Sequence, residues 1–240
     1  MAHQLVQPCF FHHLRRDFPA PPATSGPAGA GPASSAGAAA SGAGAAPAAP
    51  SPSTPAPAPA STTAGSTLLA PCLLANGIEF SVHELPRAMR RDLALVMPSR
   101  DVSRMVAVLA AQRSRVDLVA WGAEAAAEKD RLLESFAAWA GRVLARLAER
   151  GFANADFIDP CSGLPARTKG CTVVWPEVDA FETLQRGRYR ALSAGGCRIV
   201  AHPEWGTAVY PASLLCEAPV AEIDAACREA GEAGGAAGTA

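Results

Sequence analysis

Met105-Val-Ala-Val-Leu-Ala-Ala-Gln-Arg-Ser-Arg-Val-Asp-Leu-Val-Ala-Trp121 holds two apolar runs joined by the polar stretch Gln112–Arg115. Each run has the length of a strand, and the residues between them have the composition of a turn. The stretch therefore predicts an antiparallel pair, Met105–Ala111 against Val116–Trp121. The period then changes. From about Glu124 to Arg150, Leu132, Leu133, Phe136, Trp139, Ala140, Val143, Leu144 and Leu147 recur at helical spacing. Arg131, Glu134, Arg142, Arg146 and Glu149 fall mostly on the opposite face, and Gly151 supplies the stop. An antiparallel pair followed by a long one-sided helix predicts an α+β fold, a mostly antiparallel sheet with packed helices.

Toward the N-terminus, Ile78-Glu79-Phe80-Ser81-Val82 alternates apolar and polar, the period of a half-buried strand. Pro86 suits a first helical turn, and Leu85, Met89, Leu93 and Met97 follow at helical spacing until Pro98. Toward the C-terminus, a short strand is expected over Ala153–Ile158, closed by Asp159-Pro160. Residues 161–194 are irregular by pattern, broken by Pro165, Gly170, Pro176 and Gly187, with room for a short helix within Asp179–Leu192. A connection that long inside one domain is either functional or wrongly read. Two further strands flank Pro203, and a helix is expected over Val220–Ala230.

The chain of 240 residues carries 21 Lys and Arg against 22 Asp and Glu, a net charge of −1. That balance argues against nucleic acid as a partner, because phosphate binding needs a concentrated basic surface. Residues 18–66 hold no charged side chain and are nearly all Ala, Gly, Pro, Ser and Thr. Such a segment cannot bury enough apolar surface to offset the entropy of ordering. Residues 1–66 are thus expected to be a disordered arm, 67–232 the folded domain and 233–240 a flexible tail. Arg15 and Arg16 against the single acid Asp17 fit a transit peptide or a plain solvated arm, and His12-His13 reads as solvated. Gln4, Gln7 and Pro8 interrupt any secretory signal core, and no window reaches the roughly 18 apolar residues of a membrane span. The expectation is a soluble protein of the cytoplasm, the mitochondrion or both. The seven cysteines, at 9, 72, 161, 171, 197, 216 and 227, are scattered without a C-x-x-C, so they are expected to be reduced thiols and not a disulfide framework or a zinc site.

Chemistry concentrates in Gly195-Gly-Cys-Arg-Ile-Val-Ala-His-Pro-Glu-Trp-Gly-Thr207. Two glycines let the backbone approach something bulky, and a thiol follows at once. Cys197 and His202 lie an odd number of residues apart, which puts them on opposite faces of a strand and disfavours a thiol–imidazole dyad. His202 is expected to pin the Pro203–Trp205 corner by hydrogen bonding. Asp156 and Asp159 are likewise odd-spaced, and Asp159 before Pro160 fits an Asx-type turn better than acid–base work. Trp175 and Trp205 suit partner contact or ordinary packing. No G-x-G-x-x-G, P-loop, H-E-x-x-H or G-x-S-x-G is present.

Together with Ala155-Asp-Phe-Ile-Asp-Pro-Cys-Ser-Gly-Leu164, this stretch resembles the CblD family, the methylmalonic aciduria and homocystinuria type D proteins. The resemblance rests on Asp-Phe-Ile-Asp-Pro-x-Ser-Gly, then Gly-Cys, then His-x-x-Trp-Gly-Thr, within residues 77–218. It implies a nitroreductase-like sandwich without a working flavin site. It implies too that the Cys197 thiolate ligates the cobalt of cobalamin (vitamin B12), with Gly195 and Gly196 leaving room for the corrin. Where close relatives carry two consecutive cysteines, this chain has Gly196-Cys197, and the connection from Arg188-Tyr189-Arg190 is short.

The expected function is a non-enzymatic cobalamin-trafficking adaptor. It would dock with a CblC-type processing protein and route cofactor to methionine synthase and methylmalonyl-CoA mutase. An alternative of another class is a flavin-dependent, nitroreductase-like oxidoreductase, dimeric, with Arg87, Arg90 and Arg91 clamping the cofactor's phosphate. Those arginines share one helical face, where charges are ordinarily solvated.

Overall fold

The continuous apolar run after Met105 forms the middle of the main sheet. The computed structural model describes residues 65–194 and 196–235. In it β3 (Val106–Arg113) lies between β2 (Ile78–Glu84) and β7 (Val209–Cys216), antiparallel to both. β1 (Thr67–Leu73) and β4 (Ala155–Phe157) complete the order β1-β2-β3-β7-β4, every neighbour antiparallel. A strand paired on both edges and covered on both faces must be apolar throughout. Ala107 to Ala111 are accordingly at most 1% exposed.

The strand is as expected, but its partner is not. With β2 and β7 on its edges, β3 has no edge left for Val116–Trp121, which forms a turn instead. Asp117 Oδ1 accepts the Val119 N–H at 3.0 Å, and the Asp117 carbonyl accepts that of Ala120 at 3.2 Å. Leu118 packs with Leu132 and Tyr210, whereas Trp121 is 93% exposed.

α2 (Ala123–Glu149) carries the predicted stripe, with Leu132, Phe136, Trp139, Ala140, Val143, Leu144 and Leu147 all buried. Gly151, at φ 89°, ends it: its N–H reaches the Ala148 carbonyl at 3.0 Å, and the Phe152 N–H reaches that of Leu147 at 2.8 Å. This is the double bond pattern of a glycine-closed helix end. α4 (Val220–Gly235) lies beside α2 and continues past the expected end at Ala230. The two helices cover Phe80 and Val82 of β2, Val108 and Ala110 of β3, and Ala212 and Leu214 of β7.

α1 (Arg87–Val96) and α3 (Glu177–Leu184) cover the other face, where Met89, Leu93, Phe181 and Leu184 meet Ala107, Leu109 and Leu215. Three layers result, helices on both sides of one antiparallel sheet. The α+β expectation holds.

Two local readings change. β2 is buried along Ile78–His83, not half-buried, because the chain just after α3 reaches Glu79 and Ser81, while His83 bonds to Ser81 at 2.8 Å. Residues 161–194, irregular by pattern, hold α3 and β5 (Arg190–Ala194). β5 pairs with β6 (Cys197–Ala201) as a separate two-stranded ribbon. The expected arm lies outside the described residues up to 64, with Cys9, His12 and His13, and so does 236–240 of the expected tail. Among the described residues no helix is long and apolar enough to cross a membrane.

Candidate functional site

The ribbon presents the thiol. Its register runs from Arg190↔Ala201 at the base to Ala194↔Cys197 at the tip, leaving two residues for the turn. Gly196 has φ 84°, a backbone conformation that L side chains rarely adopt, and a Cβ there would meet nothing within 4 Å. The glycine is thus required by the turn itself, and the space beside it is open. Gly195 lies outside the described residues. Cys197 follows the turn and is half-buried.

Strand alternation assigns the two ribbon faces. Arg198 pairs with Asp179 and Glu182 of α3, Val200 enters the core with Phe181 and Leu184, and His202 reaches Glu79 of β2. Cys197 leaves from the other face.

The corner after β6 is built on His202. Its Nδ1 accepts the N–H of Glu204 at 3.1 Å and of Trp205 at 3.2 Å, so the ring proton sits on Nε2, which faces Glu79 Oε1 at 3.4 Å. The ring stacks on Trp205 at 3.8 Å and 12°, and meets Tyr189 edge-on at 5.2 Å. With Nδ1 accepting two amides and Nε2 turned to a carboxylate, His202 has no lone pair to take a proton from Cys197.

The other residues singled out by sequence serve structure. Asp159 accepts the N–H of Cys161 (3.1 Å) and of Ser162 (3.2 Å) and the Ser162 hydroxyl (2.7 Å), an Asx turn. Asp156, 0% exposed, takes the N–H of Phe157, Arg167 and Thr168 and the Thr168 hydroxyl. Trp175 is packed in the core at 3% exposure. Arg90 spends its guanidinium on the carbonyls of Leu85, Val102, Ser103 and Met105, so the flavin clamp loses its middle member.

Burial also sorts the thiols. It pushes Cys216 up to about 12 and Cys227 well above the ordinary thiol range, which keeps both protonated in the core. Cys161 is raised by burial and by the Asp159 and Asp130 carboxylates. Among the described residues no cluster of three His, Cys, Asp or Glu could hold a metal ion.

Glu79 was not legible as a site residue. It stood as the outward member of an alternating strand, yet it is 8% exposed and takes three donors from residues 188–202. Burial raises its carboxyl, but bonds from His202, Tyr189 and Arg188 outweigh that and hold it at about 2. A neighbouring cleft of about 610 Å³, lined by Glu182, Arg186, Tyr189 and Arg190 among others, opens at the ribbon's base. Cys197 lies four residues further along the ribbon, or about 13 Å at strand rise.

Comparison with known proteins agrees with the motifs. The family model described as methylmalonic aciduria and homocystinuria type D protein matches residues 64–226. The cobalamin trafficking protein CblD of Rattus norvegicus is 30% identical over 144 residues, 59% of this chain and 47% of that protein. Those of Mus musculus and Homo sapiens are 29% and 28% identical over the same length. The chain spans about half the length of the curated relatives it matches. With the family model covering more than half of its residues, the chain belongs to the methylmalonic aciduria and homocystinuria type D protein family.

Proposed function

We propose that this chain is a cobalamin-trafficking adaptor whose Cys197 thiolate captures the cobalt of the cofactor. The observation that carries the reading is a thiol placed directly after a glycine turn, at the end of a ribbon that lies outside the main sheet. A thiolate is a soft donor suited to a polarisable late metal, and it must lose its proton to bind. The open space beside Gly196 suits the approach of a flat macrocycle. Cobalamin is cargo in this reading, and the chain contributes ligand capture and docking without a turnover of its own. A CblC-type processing protein delivers the cofactor, and methionine synthase and methylmalonyl-CoA mutase receive it, in the cytoplasm, the mitochondrion or both.

The test is an absorption spectrum. Wild-type chain mixed with cobalamin and a CblC-type protein is expected to give a new cobalt–sulfur band. Cys197→Ala, folded and melting as wild type does, is expected to give none. A band that persists in Cys197→Ala ends the proposal.

A further inference from the structure

The ribbon that carries Cys197 shares no strand pairing with the five-stranded sheet. Its attachment at the base converges on one carboxylate. Tyr189 immediately precedes β5, and its hydroxyl donates to Glu79 Oε1 at 2.8 Å. Arg188, one residue earlier, donates from Nη2 to Glu79 Oε2 at 2.8 Å. His202 immediately follows β6 and turns Nε2 toward Oε1 at 3.4 Å. Arg190 and Ala201 are the last Cα partners of the ribbon, so Tyr189 and His202 stand on its two legs just below. Glu79 itself is fixed in β2, whose register pairs it with Ala111 of β3.

We infer that Glu79 is a positioning residue, a latch that grips both legs of the ribbon and sets where the Cys197 thiol is held. The inference rests on the reading of Cys197 as the cobalt-capturing group. A carboxylate is the group the site needs. Each of its two oxygens faces donors, and an amide in its place would turn an N–H₂ toward one of them. The rest of the contact supports the grip: Gln185 Nε2 donates to Ser81 Oγ at 2.7 Å, two residues along β2. The tip has a weaker hold, since the Arg198 pairs with Asp179 and Glu182 are half-exposed and solvent-screened.

Hydrogen exchange of the full chain, without cobalamin, tests the latch. In Glu79→Gln the amides of residues 190–201 are expected to exchange about tenfold faster or more, the size of one lost charge-assisted bond. The amides of β3 should keep wild-type rates, and Cys197 should alkylate at a changed rate. Arg188→Met, which leaves Glu79 in place, should give a smaller change of the same pattern. Equal acceleration in β3 and the ribbon means Glu79 only stabilises the fold, and unchanged ribbon exchange means it grips nothing; either result overturns the inference. The cobalt–sulfur band of the two variants separates the claims. A Cys197-dependent band at full strength in Glu79→Gln removes the latch while leaving cobalt capture intact. A wild-type chain with no band removes cobalt capture while the exchange result still decides the latch.

Discussion

Trp139→Ala is expected to lower the unfolding free energy by about 4 kcal/mol, the cost of emptying a fully enclosed indole site. Trp139 is 0% exposed, between Phe80 of the sheet at 6.4 Å and Phe136 at 6.1 Å between ring centroids. Its Nε1 donates to the Cys227 carbonyl at 3.2 Å, a bond from α2 to α4. The substitution thus opens a cavity on the sheet and removes the side-chain bond that ties α2 to α4. Since domains of this kind are stable by only about 5–15 kcal/mol, the loss is a large share of the total. Urea unfolding followed by circular dichroism checks it. A cost below about 1 kcal/mol would mean that α2 is not seated on the sheet through this residue.

The second large effect is on pH dependence, and it comes from two buried groups that oppose each other. Burial pushes the His83 imidazole down from 6.5 to about 4, so the fold holds it neutral. Its stabilising contribution is present above 6.5 and is lost as pH falls toward 4. Burial pushes the Glu177 carboxyl up from 4.5 to about 7, against the opposite pull of the Ser213 hydroxyl, which donates to it at 2.6 Å. Its contribution is complete below 4.5 and is lost as pH rises through 7. Each displacement corresponds to about 3 kcal/mol, and the two slopes nearly cancel between 4.5 and 6.5. Wild-type stability should therefore be flat across that window. Below it stability should fall steeply, because Glu79 and Glu128, both held at about 2, must take up protons. Glu177→Gln should tilt the plateau, with about 2 kcal/mol lost from pH 6.5 to 4.5 as His83 acts alone there. Urea midpoints at half-unit pH steps give the comparison. Parallel profiles for wild type and variant would show that Glu177 does not titrate in this window.

Local periodicity made α2 legible. Phe136, Trp139 and Val143 face one way because the helix repeats every 3.6 residues, whatever it packs on. β3 was legible as a strand for the same reason, but its partners were not. Nothing in Val106–Arg113 encodes that β2 and β7 will arrive from 26 residues before and 100 after at Val82↔Val108 and Ala111↔Pro211, and the nearest apolar run, Val116–Trp121, was the wrong choice. β5 was missed because Arg190-Ala-Leu-Ser-Ala has one large apolar residue and no clean alternation. The thiol and its glycine turn were visible, since both lie within a few residues. The grip beneath them was not, because Glu79 meets Arg188, Tyr189 and His202 across 109, 110 and 123 residues of chain. A buried carboxylate leaves no mark on local pattern when all its partners are distant.

Alkylation of the native chain with iodoacetamide, mapped peptide by peptide, tests most directly whether Cys197 is the group that meets cobalt. Cys197 should be modified in the chain alone and protected once cobalamin and a CblC-type protein are added, while the buried Cys216 and Cys227 stay unmodified in both states. Modification of Cys197 at the same rate with and without the cofactor, or none in the chain alone, would contradict its assignment as the ligand.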